Sequence, residues 1–239
     1  MKSKPTRNRA TRADWLEAAL AALYEQGPKG LNIQALARRL NISKTSFYWH
    51  FKDKAELIKY ARGGSSIDQE AAREFGSWEM DYQGETGVNQ FDHFLRTVNG
   101  ALKARDIDGD GIEDKLIPSG IIWMQGESDA TLTEDIARRY YVNLKRLMDL
   151  IRVTFHDDDL AVVIGKISDS GLENNGKVWV YGELVQHAQE EYIRKDRNAA
   201  IVRETKSYQY SDPYHYDSKG YIDLGTRFAE AVKHLNSVD

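Results

Sequence analysis

Two short stretches carry side chains that could do chemistry. "SDPYHYD", residues 211–217, sets Asp212 three positions before His215. A carboxylate at that spacing in a turn can hold one ring nitrogen of the imidazole, which fixes the tautomer and leaves the other nitrogen to act as a base. "QGES", Gln125 to Ser128, is a polar, glycine-containing turn directly after the apolar run Ile121 to Met124. By itself Asp-x-x-His is a pattern that surface loops carry by chance. It gains weight here because it follows the last apolar strand of the chain, with "WMQGE" upstream.

These turns need a scaffold, and the pattern after Gly63 supplies one. Short apolar runs, "SGIIWM", "LAVVIGKIS" and "NAAIVRE", alternate with the amphipathic stretches "TEDIARRYYVNLKRLMDLIRVTF", "VWVYGELVQHAQEEYIRKDR" and "SKGYIDLGTRFAEAVKHL". Strand and helix alternation predicts a parallel sheet covered by helices, with ligands at the carboxyl ends of the strands. Residues 68–100 read as a helix followed by a loop in which Trp78 and Tyr82 either stack on a ring or pack in the core.

The N-terminal end has a different character. Residues 1–62 hold 13 Lys and Arg against 5 Asp and Glu, whereas the rest of the chain holds 20 against 32, so the formal net charge of -4 conceals a basic head on an acidic body. Such an asymmetry points to a polyanion partner for the head. From Thr11, apolar residues at Trp15, Ala18, Ala19, Ala22 and Leu23 follow one helix face, and Gly27 with Pro28 ends it. A second helix spans Ile33 to Leu40 behind Asn32. Asn41 supplies a tight turn, and a third helix follows Ser43 through "KTSFYWHF". Two short helices joined by such a turn form a helix-turn-helix, whose second member enters the major groove of DNA.

"LNIQALARRLNISKTSFYWHFKDKAELI" resembles the DNA-binding domain of the TetR family, "YWHFKDK" being the specific part. The resemblance implies that Lys44, Thr45, Tyr48, Trp49 and His50 face DNA, with Lys54 on a phosphate. Phe47 and Phe51, four apart, read as core. In that family a larger helical domain follows and a pair of heads reads a palindrome; nothing after residue 62 resembles it. A single head keeps phosphate attraction but forfeits the second half-site.

The body resembles a different family. "LIKYARGGSSID", "GIIWMQGESDA" and "DPYHYDSKGY" are similar to the sialate O-acetylesterase and acetylxylan esterase branch of the SGNH hydrolases. The resemblance implies a flavodoxin-like three-layer α/β domain in which Asp212 and His215 are acid and base. It also implies that Gly63 or Gly64, together with Gln125, forms the oxyanion hole, with Glu127 in the same pocket wall. The reaction implied is removal of acetyl groups from a sugar through an acyl-enzyme on serine. The N-terminal block that carries that serine, of the type Gly-Gln-Ser-Asn-Met, does not occur in this sequence. Ser65 or Ser66 could replace it only with a hydroxyl within about 3 Å of His215. The domain is therefore expected to be incomplete at its first strand.

The whole reads as a chimera with a TetR-like head at 1–58 and an esterase-like body at 59–239. "AELIKYARGGSS" is shared by both, and residues 55–62 fit helix or strand. The expected function is a catalytically silent, weakly DNA-binding hybrid. The alternatives are an active carbohydrate acetylesterase using Asp212 and His215 with Ser65 or Ser66, and a DNA-binding regulator with a carbohydrate-sensing body. The partners expected are DNA and an acetylated carbohydrate, with no cofactor and the oligomeric state left open. Asp106, Asp108 and Asp110 make the first half of a calcium loop, but Ile117 stands where its bidentate Glu belongs, so an ordinary turn is the favoured reading. No stretch approaches the roughly 18 apolar residues of a membrane span, and the basic start lacks the apolar core of a signal peptide, which reads as cytoplasmic. With no cysteine there are no disulfides or thiolate metal sites.

Overall fold

In a computed structural model, residues 10–12, 14–15, 18–19, 21–22, 32–51, 64–84, 87–103, 106, 111–173 and 176–237 are described. They fall in two compact units, Met1–Gly63 and Gly64–Asp239. The expected boundary after residue 58, and the choice between helix and strand at 55–62, lie outside the described residues.

In the first unit, helical residues between Arg12 and Ala22 bury Trp15, Ala18, Ala19 and Ala22. Helix α1, Ile33–Arg39, starts on Asn32, whose side chain accepts from the Gln34 and Ala35 N–H groups and so satisfies two donors that the first turn cannot pair. Asn41 at φ 54 makes the turn. The next segment, Lys44–Trp49, is a 3-10 helix capped by Ser43. Its Phe47 stacks on Phe51 at 5.2 Å and meets the edge of Trp15 at 5.2 Å, which closes the small core.

The second unit is a three-layer arrangement. Strands β1 (Ile121–Trp123), β2 (Val162–Gly165) and β3 (Ala199–Val202) pair in parallel in the order β1-β2-β3. Ile122 lies opposite Val163, and Val163 opposite Ala200. Helix α2 is Gln90–Ala101, α3 Glu134–Phe155, α4 Gly182–Lys195 and α5 Ser218–Leu235. Helix α3 buries Ile136, Tyr140, Leu144, Leu147, Met148 and Ile151, a three-and-four spacing that presents one stripe to Trp123, Val162 and Ile164. On the other face Leu224 and Phe228 of α5 pack on Val163 and Val202. Strand β1 lies beyond that cover, and Ile122 remains 55% exposed.

Residues 68–100 run opposite to expectation. A 3-10 turn at Gln69–Ala71 and a long loop come first, and the helix starts only at Gln90, where Asn89 accepts from the Asp92 N–H. The cap fixes that start, and Phe91, Phe94 and Leu95 then face the core. Trp78 packs edge-on against Trp123 at 5.1 Å and Tyr82 is buried, so both belong to the core rather than to a ring-stacking surface.

Candidate functional site

The turn after β3 is built from its neck upward. Tyr210 and Tyr216 form an antiparallel bridge, the Ser211 N–H donates to the His215 carbonyl at 2.9 Å, and Asp217 caps α5 by accepting from the Gly220 N–H at 2.7 Å. Between these anchors Asp212 Oδ1 accepts from the Tyr214 and His215 N–H groups at 2.8 and 2.9 Å. The same carboxylate lies 2.9 and 2.8 Å from His215 Nδ1. A carboxylate only accepts, so Nδ1 carries the proton, and the neutral ring keeps its lone pair at Nε2. The backbone N–H of Tyr214, followed by the imidazole, holds the Asp212 carboxyl below the usual range and therefore ionised. Both side chains are about half exposed. Asp212 and His215 are thus held as an oriented carboxylate–imidazole pair.

The turn after β1 is closed. Gln125 Nε2 donates both its protons, to the Ser65 carbonyl at 3.0 Å and to Asp129 at 2.7 Å, while the Tyr140 hydroxyl donates to the Gln125 backbone carbonyl at 2.7 Å and lies 3.2 Å from Oε1. The expected oxyanion donor at Gln125 is corrected accordingly: this amide has no N–H left to give. Asp129 is fully buried and also accepts from the Ile67 and Asp68 N–H groups at 3.0 and 2.8 Å. Desolvation outweighs those bonds and pushes its carboxyl up to about 6. Gln189 completes the network, donating to the Gln125 carbonyl and accepting from the Ile167 N–H. Gly126 sits at φ +149, and a Cβ there would meet Val185 at 2.7 Å. Burial raises the Glu127 carboxyl above the usual range, against hydrogen bonds from the backbone of the turn that lower it.

Neither serine offered as a substitute nucleophile is hydrogen-bonded to the His215 ring. Ser66 Oγ is buried and donates to the Asp68 carbonyl at 2.7 Å; Ser65 Oγ accepts from the Trp78 indole at 3.0 Å. Ser128 Oγ donates to the Gly64 carbonyl at 2.6 Å. Among the described residues no serine hydroxyl is hydrogen-bonded to the His215 ring. Gly64 adopts φ +123, a conformation suited to glycine, and Gly63 lies outside the described residues.

In the first unit Lys44, Thr45, Tyr48 and Trp49 are exposed, the last two at 52% and 65%. His50 differs from expectation: its Nε2–H donates to the Ala10 carbonyl at 3.0 Å, so the ring braces the start of the unit instead of facing outward. Lys54 lies outside the described residues, as do Asp108 and Asp110. Asp106 accepts from the Gly111 N–H at 3.1 Å, the bond of an ordinary Asp/Gly turn. Among the described residues no group of three or more His, Cys, Asp or Glu could hold a metal ion, and no helix is long and apolar enough to cross a membrane.

Several residues of the body site went unread in the sequence. Asp129 lies within "QGESDA", where only its lack of an obvious solvent role could have marked it. Tyr140 and Gln189 lie on helices far along the chain and carried no local signal. Tyr214 sits inside the Asp-x-x-His motif itself, and its aromatic type was the available clue.

Comparison with known proteins separates the same two parts. Residues 39–234 match the family described as carbohydrate esterase, sialic acid-specific acetylesterase, and residues 16–61 match the TetR family of bacterial regulatory proteins; the two matches overlap at 39–61. The HTH-type transcriptional regulator AcrR of Shigella flexneri is 30% identical over 73 residues, covering 30% of this chain and 31% of that protein. TtgR of Pseudomonas putida is 37% identical over 49 residues, covering 20% and 23%. The chain therefore spans less than a third of these regulators. Among solved structures, an Arabidopsis thaliana protein aligns at 22% identity and TM-score 0.48 over 66% of this chain and 55% of that one. A carbohydrate acetylesterase from Xanthomonas citri aligns at 20% identity and TM-score 0.39 over 51% and 26%. The chain belongs to the sialic acid-specific acetylesterase family of carbohydrate esterases and is chimeric, with a TetR-type DNA-binding segment at its N-terminal side.

Proposed function

We propose that this protein is a hybrid whose head attracts DNA weakly and whose body keeps an esterase-type dyad without an alcohol to activate. The observation that carries this reading is that neither the Ser65 nor the Ser66 hydroxyl is hydrogen-bonded to the His215 ring. One takes the Trp78 indole, the other gives its only proton to the Asp68 carbonyl, and neither meets His215. A base with no nucleophile leaves only the residual catalysis of binding. The body is then an SGNH-type domain that lacks its first strand, in keeping with a sheet of three strands among the described residues. In the head, Lys44, Thr45, Tyr48 and Trp49 are the DNA face, with Lys54 on a phosphate. Without a second head the complex depends on phosphate contacts, so its affinity falls steeply with salt and discriminates little between sequences.

Hydrolysis of 4-nitrophenyl acetate by the full chain tests the body: the rate should equal that of a His215→Ala variant. Turnover abolished both by His215→Ala and by Ser65→Ala or Ser66→Ala would establish a working acetylesterase instead. For the head, fluorescence anisotropy with a labelled duplex should give weak, salt-sensitive binding. A dimer gripping a palindrome tightly and selectively at physiological salt would favour a regulator with a carbohydrate-sensing body.

A further inference from the structure

The sheet of the second unit has two outer edges, and they are finished differently. At β3, Ala199 and Ile201 pack against the core, and the strand is bounded by Arg197, paired with Asp159, and by Arg203, paired with Glu190. Charged residues at the ends of an edge strand disfavour the addition of another strand. At β1 the Ile121 N–H donates to the Ala161 carbonyl at 2.7 Å, so Ile121 and Trp123 turn their peptide groups toward β2. Successive residues of a strand point these groups to opposite sides. The N–H and C=O of Ile122, the Gly120 carbonyl and the Met124 N–H therefore point outward. Among the described residues none of these four groups has a hydrogen-bond partner. The strand is approached through Leu116 and Ile117, exposed at 41% and 71%, and itself carries the exposed Ile122. Residues 116–126, LIPSGIIWMQG, hold no charge.

A second copy of this chain fits those groups. Turned about a two-fold axis through Ile122, the edge faces itself as an antiparallel pair. Each Ile122 exchanges both backbone bonds with Ile122 of the second copy, and each Met124 N–H meets the Gly120 carbonyl opposite. Four hydrogen bonds form, and no outward group of the edge is left over. In this register residues 118–126 lie opposite themselves, so no like charges face one another across the join although both bodies are acidic. The two Ile122 side chains come to one face of the sheet and cover each other, and glycine at 120 leaves room for Met124 opposite. We propose that β1 is a dimerisation strand, joining two copies into one sheet in the order β3-β2-β1-β1-β2-β3. About five residues of edge, roughly 17 Å, bury less than the roughly 1,200 Å² of a stable interface, so the dimer forms and separates with concentration. This inference stands apart from the reading of the Asp212–His215 turn. A dimer carries two heads, so the lone-head DNA binding proposed above belongs to the monomer.

The test is sedimentation velocity of the full chain from about 1 to about 200 µM, the range expected of a small interface. Monomer should give way to dimer with no larger species, and raising the salt should not dissolve it. Ile122→Lys sets two ammonium groups side by side on the axis and should weaken association about ten-fold or more. Because Ile122 is exposed, the melting temperature should hold. The sequence has no cysteine, so Ile122→Cys carries a single thiol. Paired Cα atoms in this register lie about 5.5 Å apart, within disulfide reach, so mild oxidation should link two copies through residue 122. Ile222→Cys, at an exposed position of α5, should stay unlinked. This cysteine pair decides the case if Ile122→Lys fails to fold. A monomer throughout, a dimer untouched by Ile122→Lys, or equal linkage at residue 222 would each overturn the proposal. So would growth beyond the dimer, which means an edge left open. A dimer lost at high salt would overturn it too, since that marks a basic head of one copy held by the acidic body of another.

Discussion

Two polar turns of the body, 125–129 and 211–217, are made of similar side chains and use them in opposite ways. In the first, the Gln125 amide and the Asp129 carboxylate are buried and bonded to Ser65, Ile67, Asp68 and Tyr140, so the turn acts as an internal clasp for the Gly64–Asp68 segment. In the second, Asp212 satisfies the local N–H groups and Nδ1 of His215 and leaves the other ring nitrogen over. A polar side chain at the end of a strand becomes a reagent only where its neighbours leave an atom unused.

The contrast can be broken at either turn. The largest effect is expected at Asp129. An amide there must turn its NH2 toward one of three donors, so Asp129→Asn should cost about 2 kcal/mol near pH 8 in urea unfolding. The folded carboxyl titrates at about 6, above its unfolded value. Stability from this group is therefore full below about pH 4 and is lost as pH rises through about 6. The variant lacks that slope, so its deficit should widen toward low pH, by up to about 3 kcal/mol. A constant deficit would show that Asp129 is not the titrating group. Gly126→Ala comes next, at roughly 2 kcal/mol, through its positive φ and the collision with Val185.

Acid gives a contrasting case. Glu190 is held down to about 2, first by Arg203 and then by Lys166, so its contribution is present above about pH 4.5 and is lost as pH falls toward 2. Glu190→Gln should flatten acid unfolding in that window by about 1 kcal/mol, with Arg203 half exposed and partly screened. Ser66→Ala should cost about 1 kcal/mol through the Asp68 carbonyl it deprives, and leave any aryl acetate signal unchanged. Asp212→Ala, at a surface turn, should leave the melting temperature where it is. A drop as large as that of Asp129→Asn would erase the distinction between the two turns.

Helices α3 and α5 and all three strands were legible because long periodic stripes and short apolar runs are local properties. The segment 68–100 was not, since its helix start is decided by one cap, Asn89, after a loop whose course depends on distant bonds to Asp129 and Arg139. At the site, Asp212 and His215 could be paired because their partnership spans three residues. The fate of Gln125 could not, because Ser65 reaches it from sixty residues upstream and Tyr140 from the next helix. Likewise His50 was read from its motif, whereas its partner, the Ala10 carbonyl, lies forty residues away.

The saturated Gln125 amide bears on any attempt to make this scaffold hydrolyse esters. Installing an alcohol beside Nε2 would give its lone pair a proton to take, but Gln125 as bonded would offer nothing to the negative oxygen that develops during attack. One such donor is commonly worth about 10² to 10³ in rate. Building esterase activity here is therefore a two-site problem, in which an alcohol at Nε2 is the larger requirement and freeing that amide from Ser65 the second.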